Sequence, residues 1–232
     1  MQRILTYKGE DVMKKILILI LAIVMVLPLV SCGEEKVAAD LTWKIEDETL
    51  FISGNGRMPD YVDENGEKTE RPWDDKLDDF YYIEIGEGIT YIGAYAFEGC
   101  KNVFEVSLPH TLKSIGDSAF EKCFNLSEID IPGEVENIGN RAFNRCYSFT
   151  DVIIHENIKS VGDYAFEGCI SLQKVKIKNN IESIGKSVFT DHSYSYTVEF
   201  DGTKEKWEEI GGTEAVVGEK ITVICSDGVF GE

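Results

Sequence analysis

Apolar and polar positions through the middle of this chain hold one register over five copies. Phenylalanine recurs at Phe97, Phe120, Phe143, Phe166 and Phe189, and cysteine at Cys100, Cys123, Cys146 and Cys169, each column stepping by 23 residues. An aliphatic–glycine pair keeps the same step at Ile92-Gly93, Ile115-Gly116, Ile138-Gly139, Val161-Gly162 and Ile184-Gly185. Self-similarity at a fixed period of this length marks a repeat array. Within a copy the pattern predicts three elements. Ile129-Asp130-Ile131 alternates apolar and polar, the period of a strand with one buried face. Pro132, which cannot donate to a ladder, ends that strand. Leu112 and Ile115 form a second short extended or turn segment closing on Gly116. Asp117 is placed to cap a short helical turn in which Phe120, Cys123 and Leu126, spaced three apart, share one side. One copy cannot close a core around Leu112, Ile115, Ala119, Phe120, Cys123, Leu126, Ile129 and Ile131. Stacked copies bury them against their counterparts, at about 1.5–3 kcal/mol per large side chain.

The flanks lack the period. Trp43-Lys44-Ile45 and Thr49-Leu50-Phe51-Ile52 read as two strands around the turn Glu46-Asp47-Glu48. Ser53-Gly54-Asn55-Gly56 and Asp63-Glu64-Asn65-Gly66 are turn signals, and Tyr82-Ile83-Glu84-Ile85 anticipates the repeat strand. After the copies, Thr197 to Phe200 reads as a strand, Thr203 to Ile210 as a short helix holding Trp207, and Ile221 to Cys225 as a closing strand.

The pattern aliphatic, two residues, Ile-Gly, two residues, Ala-Phe, two residues, Cys, two residues, Leu, two residues, Ile-x-Ile-Pro resembles the BspA-type bacterial leucine-rich repeats over about residues 89–189. The resemblance implies a right-handed repeat solenoid with a parallel β-strand face, short turns or helical turns opposite it, and adhesion-like surface roles. Segments 41–88, including Met58-Pro59-Asp60-Tyr61 and Pro72-Trp73, and 194–225 resemble that family's terminal caps. Departures are few: His155 and Lys178 replace the proline after the strand, and His192 takes the cysteine column in the fifth copy.

The N-terminal stretch is of another kind. Met13-Lys14-Lys15, the apolar run from Ile16 to Leu29 and the small residues before Cys32 have the layout of a secretory signal, too short to span a bilayer comfortably. Leu29-Val30-Ser31-Cys32 resembles a bacterial lipobox, which implies cleavage before Cys32 and a lipid on its sulfur; an ordinary signal with an incidental cysteine is the other reading. The expected organisation is therefore a signal peptide at 1–31 (its first 12 residues an over-extended start), a linker at 32–40, an N-terminal cap at 41–88, repeats at 89–193 and a C-terminal cap at 194–232. The resulting location is the outer face of the cytoplasmic membrane or the cell surface.

Charge narrows the partners. The chain carries −19, and removing residues 1–31, with four basic and two acidic side chains, leaves −21. Such a surface lacks the main electrostatic term for nucleic acid and is repelled by anionic headgroups, so only the lipid anchors it. An exported chain permits disulfides, and column cysteines on strands about 4.8 Å apart approach bonding distance. Each nevertheless sits among Ala, Phe and Leu, where a cysteine behaves as a small buried hydrophobe, and free core thiols are the preferred reading.

The residues offer no recognisable catalytic or cofactor motif. Gly54-x-Gly56 meets Pro59 where a nucleotide loop needs a third glycine. Aligning Gly66 to a calcium loop puts Tyr61 and Pro72 at ligand positions, and both fail. Neither Gly-x-Ser-x-Gly nor His-Glu-x-x-His occurs. His110 and His155 fall at strand ends in different copies, and cysteines 23 apart do not make a zinc pair. What remains is the outward strand column: Glu105, Ser107, Glu128, Asp130, Asp151, Ile153, Lys174 and Lys176, acidic at one end, basic at the other, with an apolar centre. Phe124, Tyr147 and Ile170 add an apolar edge. The expectation is a monomeric surface scaffold, without cofactor, metal or catalytic site, that binds a protein or glycan. A structural module of the envelope with no external ligand, and an enzyme, are the alternatives.

Overall fold

A computed structural model describes residues 40–191, 195–216 and 221–230. The chain divides into two units, Met1–Glu34 and Glu35–Glu232, and every described residue lies in the second. The secretory signal, Cys32, nearly all of the linker and His192 fall outside the described residues.

The repeats wind into a β-solenoid. The outward face is built from β1 (Thr42–Glu46), β2 (Thr49–Ser53), β4 (Tyr82–Ile85), β6 (Glu105–Ser107) and β8 (Glu128–Ile129) as one sheet. A second sheet continues it with β10 (Asp151–Ile154), β12 (Lys174–Ile177), β14 (Tyr196–Phe200), β15 (Ile221–Cys225) and β16 (Gly228–Val229). Repeat strands pair in parallel, whereas β1–β2 and β15–β16 are antiparallel hairpins at the two ends. The opposite side carries a ladder of its own. The segments before each glycine of the aliphatic–glycine column form two-residue strands β7 (Ser114–Ile115), β9 (Asn137–Ile138), β11 (Ser160–Val161) and β13 (Ser183–Ile184), which join β5 (Ile89–Ile92) and β3 (Gly56–Arg57) in a six-stranded sheet.

Between the ladders lies one continuous core. The phenylalanine rings stack down the axis at 5.3, 5.4, 5.2 and 5.7 Å, and Trp73 extends the pile past Phe97 at 5.5 Å. The cysteine column is fully buried as free thiols, and Cys123, Cys146 and Cys169 each donate Sγ–H to the phenylalanine carbonyl of an earlier copy at 3.2–3.4 Å. Burial pushes Cys100 and Cys169 up to about 12 and the two between them well above the usual thiol range. Thiolate is the reactive form, so these groups are inert.

The expected helical turn does not form. Tyr95, Ser118, Arg141, Tyr164 and Ser187 all have φ between 52° and 60°, and a second position in each copy (Gly99, Lys122, Arg145, Gly168, Asp191) is also left-handed. Two such residues per turn are incompatible with a right-handed helix. The gain is that amides point along the axis: Phe97, Phe120 and Phe143 each donate N–H to the alanine carbonyl of the next copy at 2.8 Å. Asp117 differs from its expected role for the same reason. Its Oδ1 accepts from the Asn140 amide of the next copy at 2.7 Å, not from its own turn. The device repeats from Asp60 to Ala94, from Asn140 to Asp163 and from Asp163 to Lys186 at 2.6–3.0 Å.

The ends are closed with other residues. Trp73 Nε1 donates to Ala96 O at 3.1 Å and Arg71 Nη1 to Glu98 O at 2.7 Å, covering the first copy. At the far end α1 (Lys204–Glu209), capped by the Thr203 hydroxyl, brings Trp207 against Phe200 at 5.3 Å. α2 (Gly212–Ala215) then accepts the last copy's amides, from Ser187 to Glu214 O and from Phe189 to Ala215 O.

Candidate functional site

Parallel register fixes which outward residues are neighbours. Tyr82 lies beside Glu105 and Glu105 beside Glu128, whereas Asp151 lies beside Lys174 and Ile153 beside Lys176. Glu105, Ser107, Glu128, Asp130, Asp151, Ile153 and Lys176 are exposed, with Ile153 at 47%, and Lys174 is half-buried. The structure adds two carboxylates that the column reading left out. Glu84 extends the acidic end. Glu199, beside Lys176 in register, binds Lys174 Nζ at 2.6 Å. That hydrogen bond holds the Glu199 carboxyl below the usual range. The change of sign is therefore local: two lysines between Asp151 and Glu199, with acid on either side. Both carboxylates lie at outward strand positions in the sequence. They were missed because Tyr82 to Ile85 and Thr197 to Phe200 were treated as caps.

Asp130 and Ile131 do not extend β8, contrary to the Ile-x-Ile reading; the strand stops at Ile129. The cause lies one copy on. Val103, Leu126 and Leu172 share a buried column in which the third member is Phe149. Its ring packs on Phe143 at 5.8 Å and 52°, beneath the strand. Elsewhere the residue just before a strand donates back to the copy before, as from Phe104 to Tyr81 O, Ser127 to Phe104 O and Gln173 to Thr150 O at 2.8–3.0 Å. Among the described residues no backbone hydrogen bond joins 127–131 to 150–154, and the outward sheet is split there. A cleft of 170 Å³ opens at the split, lined by Ile129, Ile131, Phe149 and Ile153 with Asp130 and Asp151 at its mouth.

The predicted apolar edge is present. Phe124 and Tyr147 stack at 4.7 Å and 8°, and Ile170 is exposed beyond them. The opposite ladder holds a longer polar groove of 820 Å³, lined by Ser114, Asn137, Ser160 and Ser183 and by the Asp117–Asn140–Asp163 column. Those Asx side chains already serve backbone amides, so the groove reads first as architecture. The Asp63–Gly66 segment is a turn in which Asp63 Oδ1 accepts from the Asn65 and Glu67 amides at 2.9 Å, which keeps its carboxyl low. His110 is exposed, with Glu134 3.8 Å away, and His155 borders the cleft. No group of three or more His, Cys, Asp or Glu gathers with metal-holding geometry among the described residues.

A family model described as the BspA type leucine rich repeat region matches residues 76–195 in six copies, and the chain belongs to that family. No curated protein matches it in sequence. Among solved structures it is similar to a leucine rich cell surface protein of Faecalibacterium prausnitzii, 22% identical with a TM-score of 0.52, covering 83% of this chain and 55% of that one. A leucine rich repeat protein of T. pallidum is 21% identical with a TM-score of 0.43, covering 68% of this chain and 89% of that one. A leucine-rich repeat protein of Bacteroides ovatus is 19% identical with a TM-score of 0.42, covering 83% and 68%. The chain thus spans about half the length of the first of these neighbours. The first likeness bears on the fold; the class it defines is a leucine-rich-repeat solenoid scaffold.

Proposed function

We propose that this chain is an exported, lipid-anchored scaffold that binds a protein or glycan at the bacterial cell surface through its outward strand face, without catalysis. The observation that carries the reading is the exposed column itself. Charged and apolar side chains stand out from two successive parallel ladders, on the extended face a solenoid offers to partners. Ile153 exposed among charges is the kind of apolar centre with a polar rim that binding surfaces use. The signal-like layout before Cys32 and the lipobox resemblance there support the location, as does the likeness to a leucine rich cell surface protein of Faecalibacterium prausnitzii.

The test is affinity capture from bacterial-surface and host-matrix extracts, comparing the wild-type chain with a charge-swapped variant (Glu128→Lys, Asp130→Lys, Lys174→Glu, Lys176→Glu). The swap is expected to remove the captured partner at least tenfold. Unchanged capture would refute the strand face, and capture of nothing by either protein would favour a structural envelope module. Intact-mass measurement of the membrane-extracted protein tests the anchor: an acylated N-terminal Cys32 is expected, and an unmodified cysteine there would remove lipidation from the proposal.

A further inference from the structure

We propose that the split in the outward ladder between β8 and β10 is a docking site for one apolar side chain of an extended, basic segment of a protein partner. The inference rests on the strand face being the binding surface and names the point on it where recognition is made.

Three observations meet at this place. The first is size. The stacked rings of Phe120 and Phe143 hold the two copies 5.4 Å apart, the spacing of one strand, so a whole strand cannot be inserted. The 170 Å³ opening instead fits a single side chain. Cavities of about 150 Å³ lined by aliphatic and aromatic groups hold one benzene ring.

The second is the state of the backbone. Thr150 O and Ile154 O accept from Lys174 and Lys178 of the following copy. Parallel strands direct alternate residues to opposite neighbours. Asp151 and Ile153 therefore turn their N–H and C=O groups toward β8, where no backbone hydrogen bond receives them. A segment crossing the outward side of the cleft can hydrogen-bond these unbonded groups where its side chain enters, without inserting a strand.

The third is charge. Asp130 and Asp151 flank the mouth, with Glu128 exposed beside them. Lys174 lies beyond Asp151 and is held by Glu199, and Lys176 lies one strand away from the cleft, beyond Ile153. A lysine or arginine adjacent to the docked side chain meets carboxylates on entry. An acidic segment, or a second copy of so acidic a chain, is repelled.

The probe is the fluorescent peptide Gly-Ser-Lys-Leu-Lys-Ser-Gly, titrated with the full chain by anisotropy. Its controls carry serine for leucine, or glutamate for both lysines. The leucine peptide is expected to bind about tenfold or more tighter than the serine peptide, the effect of burying one leucine. The glutamate peptide is expected not to bind. Paired Asp130→Asn and Asp151→Asn substitutions should weaken the leucine peptide and flatten its salt dependence. Phe149→Leu, which restores the residue type found at Leu126 and Leu172, should close the cleft and erase the preference for leucine over serine while the protein stays folded by circular dichroism. Equal binding of the leucine and serine peptides overturns the proposal, as does a leucine preference that survives Phe149→Leu. Loss of extract capture on charge swap, with both capture and peptide preference indifferent to Phe149→Leu, keeps the face and removes the cleft. A leucine preference abolished by Phe149→Leu, with nothing captured from extracts, keeps the cleft and removes the wider role of the face.

Discussion

Phe143→Ala is expected to cost about 3–5 kcal/mol of stability, the range for emptying a buried phenylalanine site. The ring is fully buried between Phe120 and Phe166, stacked on them at 5.4 and 5.2 Å with interplanar angles of 1° and 11°, and it supports Phe149 from the side. Its neighbours cannot collapse into the void, because each ring is tied to its own copy by an amide that bonds the copy after it. A solenoid copy contacts only its neighbours, so no distant part of the protein compensates. The midpoint of thermal unfolding should fall by about 10 °C, using about 2–4 °C per kcal/mol for a chain of this size. Urea titration with the wild-type slope measures the loss, and a change under about 1 kcal/mol would mean that the ring pile is not the core.

Gly162→Ala is expected to destabilise by about 3 kcal/mol or more, at the upper end of what overpacking costs. The added methyl would lie 2.5 Å from Asn140 N and 2.7 Å from Gly139 C, both backbone atoms of the preceding copy. A flexible side chain could swing aside; a ladder strand cannot. The same approach recurs at Gly139 and Gly185, where the nearest backbone atom of the preceding copy is an aspartate amide nitrogen, Asp117 N at 2.7 Å and Asp163 N at 2.5 Å. The reason for the column is thus crowding between copies, not a left-handed backbone at the glycine. Alanine tolerated at Gly162 within about 0.5 kcal/mol, by the same urea titration, would show that the copies stand further apart than described.

The sequence columns carried the fold because a repeat multiplies each local signal. Phe120 alone is a core guess, while five phenylalanines at one step specify a stack. The turn was harder to read. Ser118, Lys122, Arg141 and Arg145 bear no mark of a left-handed backbone, because ordinary L-residues are held there by bonds to the next copy, which no window within one copy displays. Asp117 was misassigned for the same cause, its partner lying 23 residues away. The outward residues were legible by alternation. The split at β8–β10 was not, because Phe149 in a Val/Leu column is a conservative change by hydrophobicity. It becomes consequential only by volume beneath a strand.

The docking point on the strand face rests on that split, and amide hydrogen exchange on the folded chain reads it directly. Lys174 and Lys176 amides, bonded into the ladder from β10, are expected to exchange slowly, and those of Asp151 and Ile153 to exchange at least a hundredfold faster although they sit in the middle of the array. Equal protection of the four amides would show an unbroken outward sheet and contradict an opening at this point of the strand face.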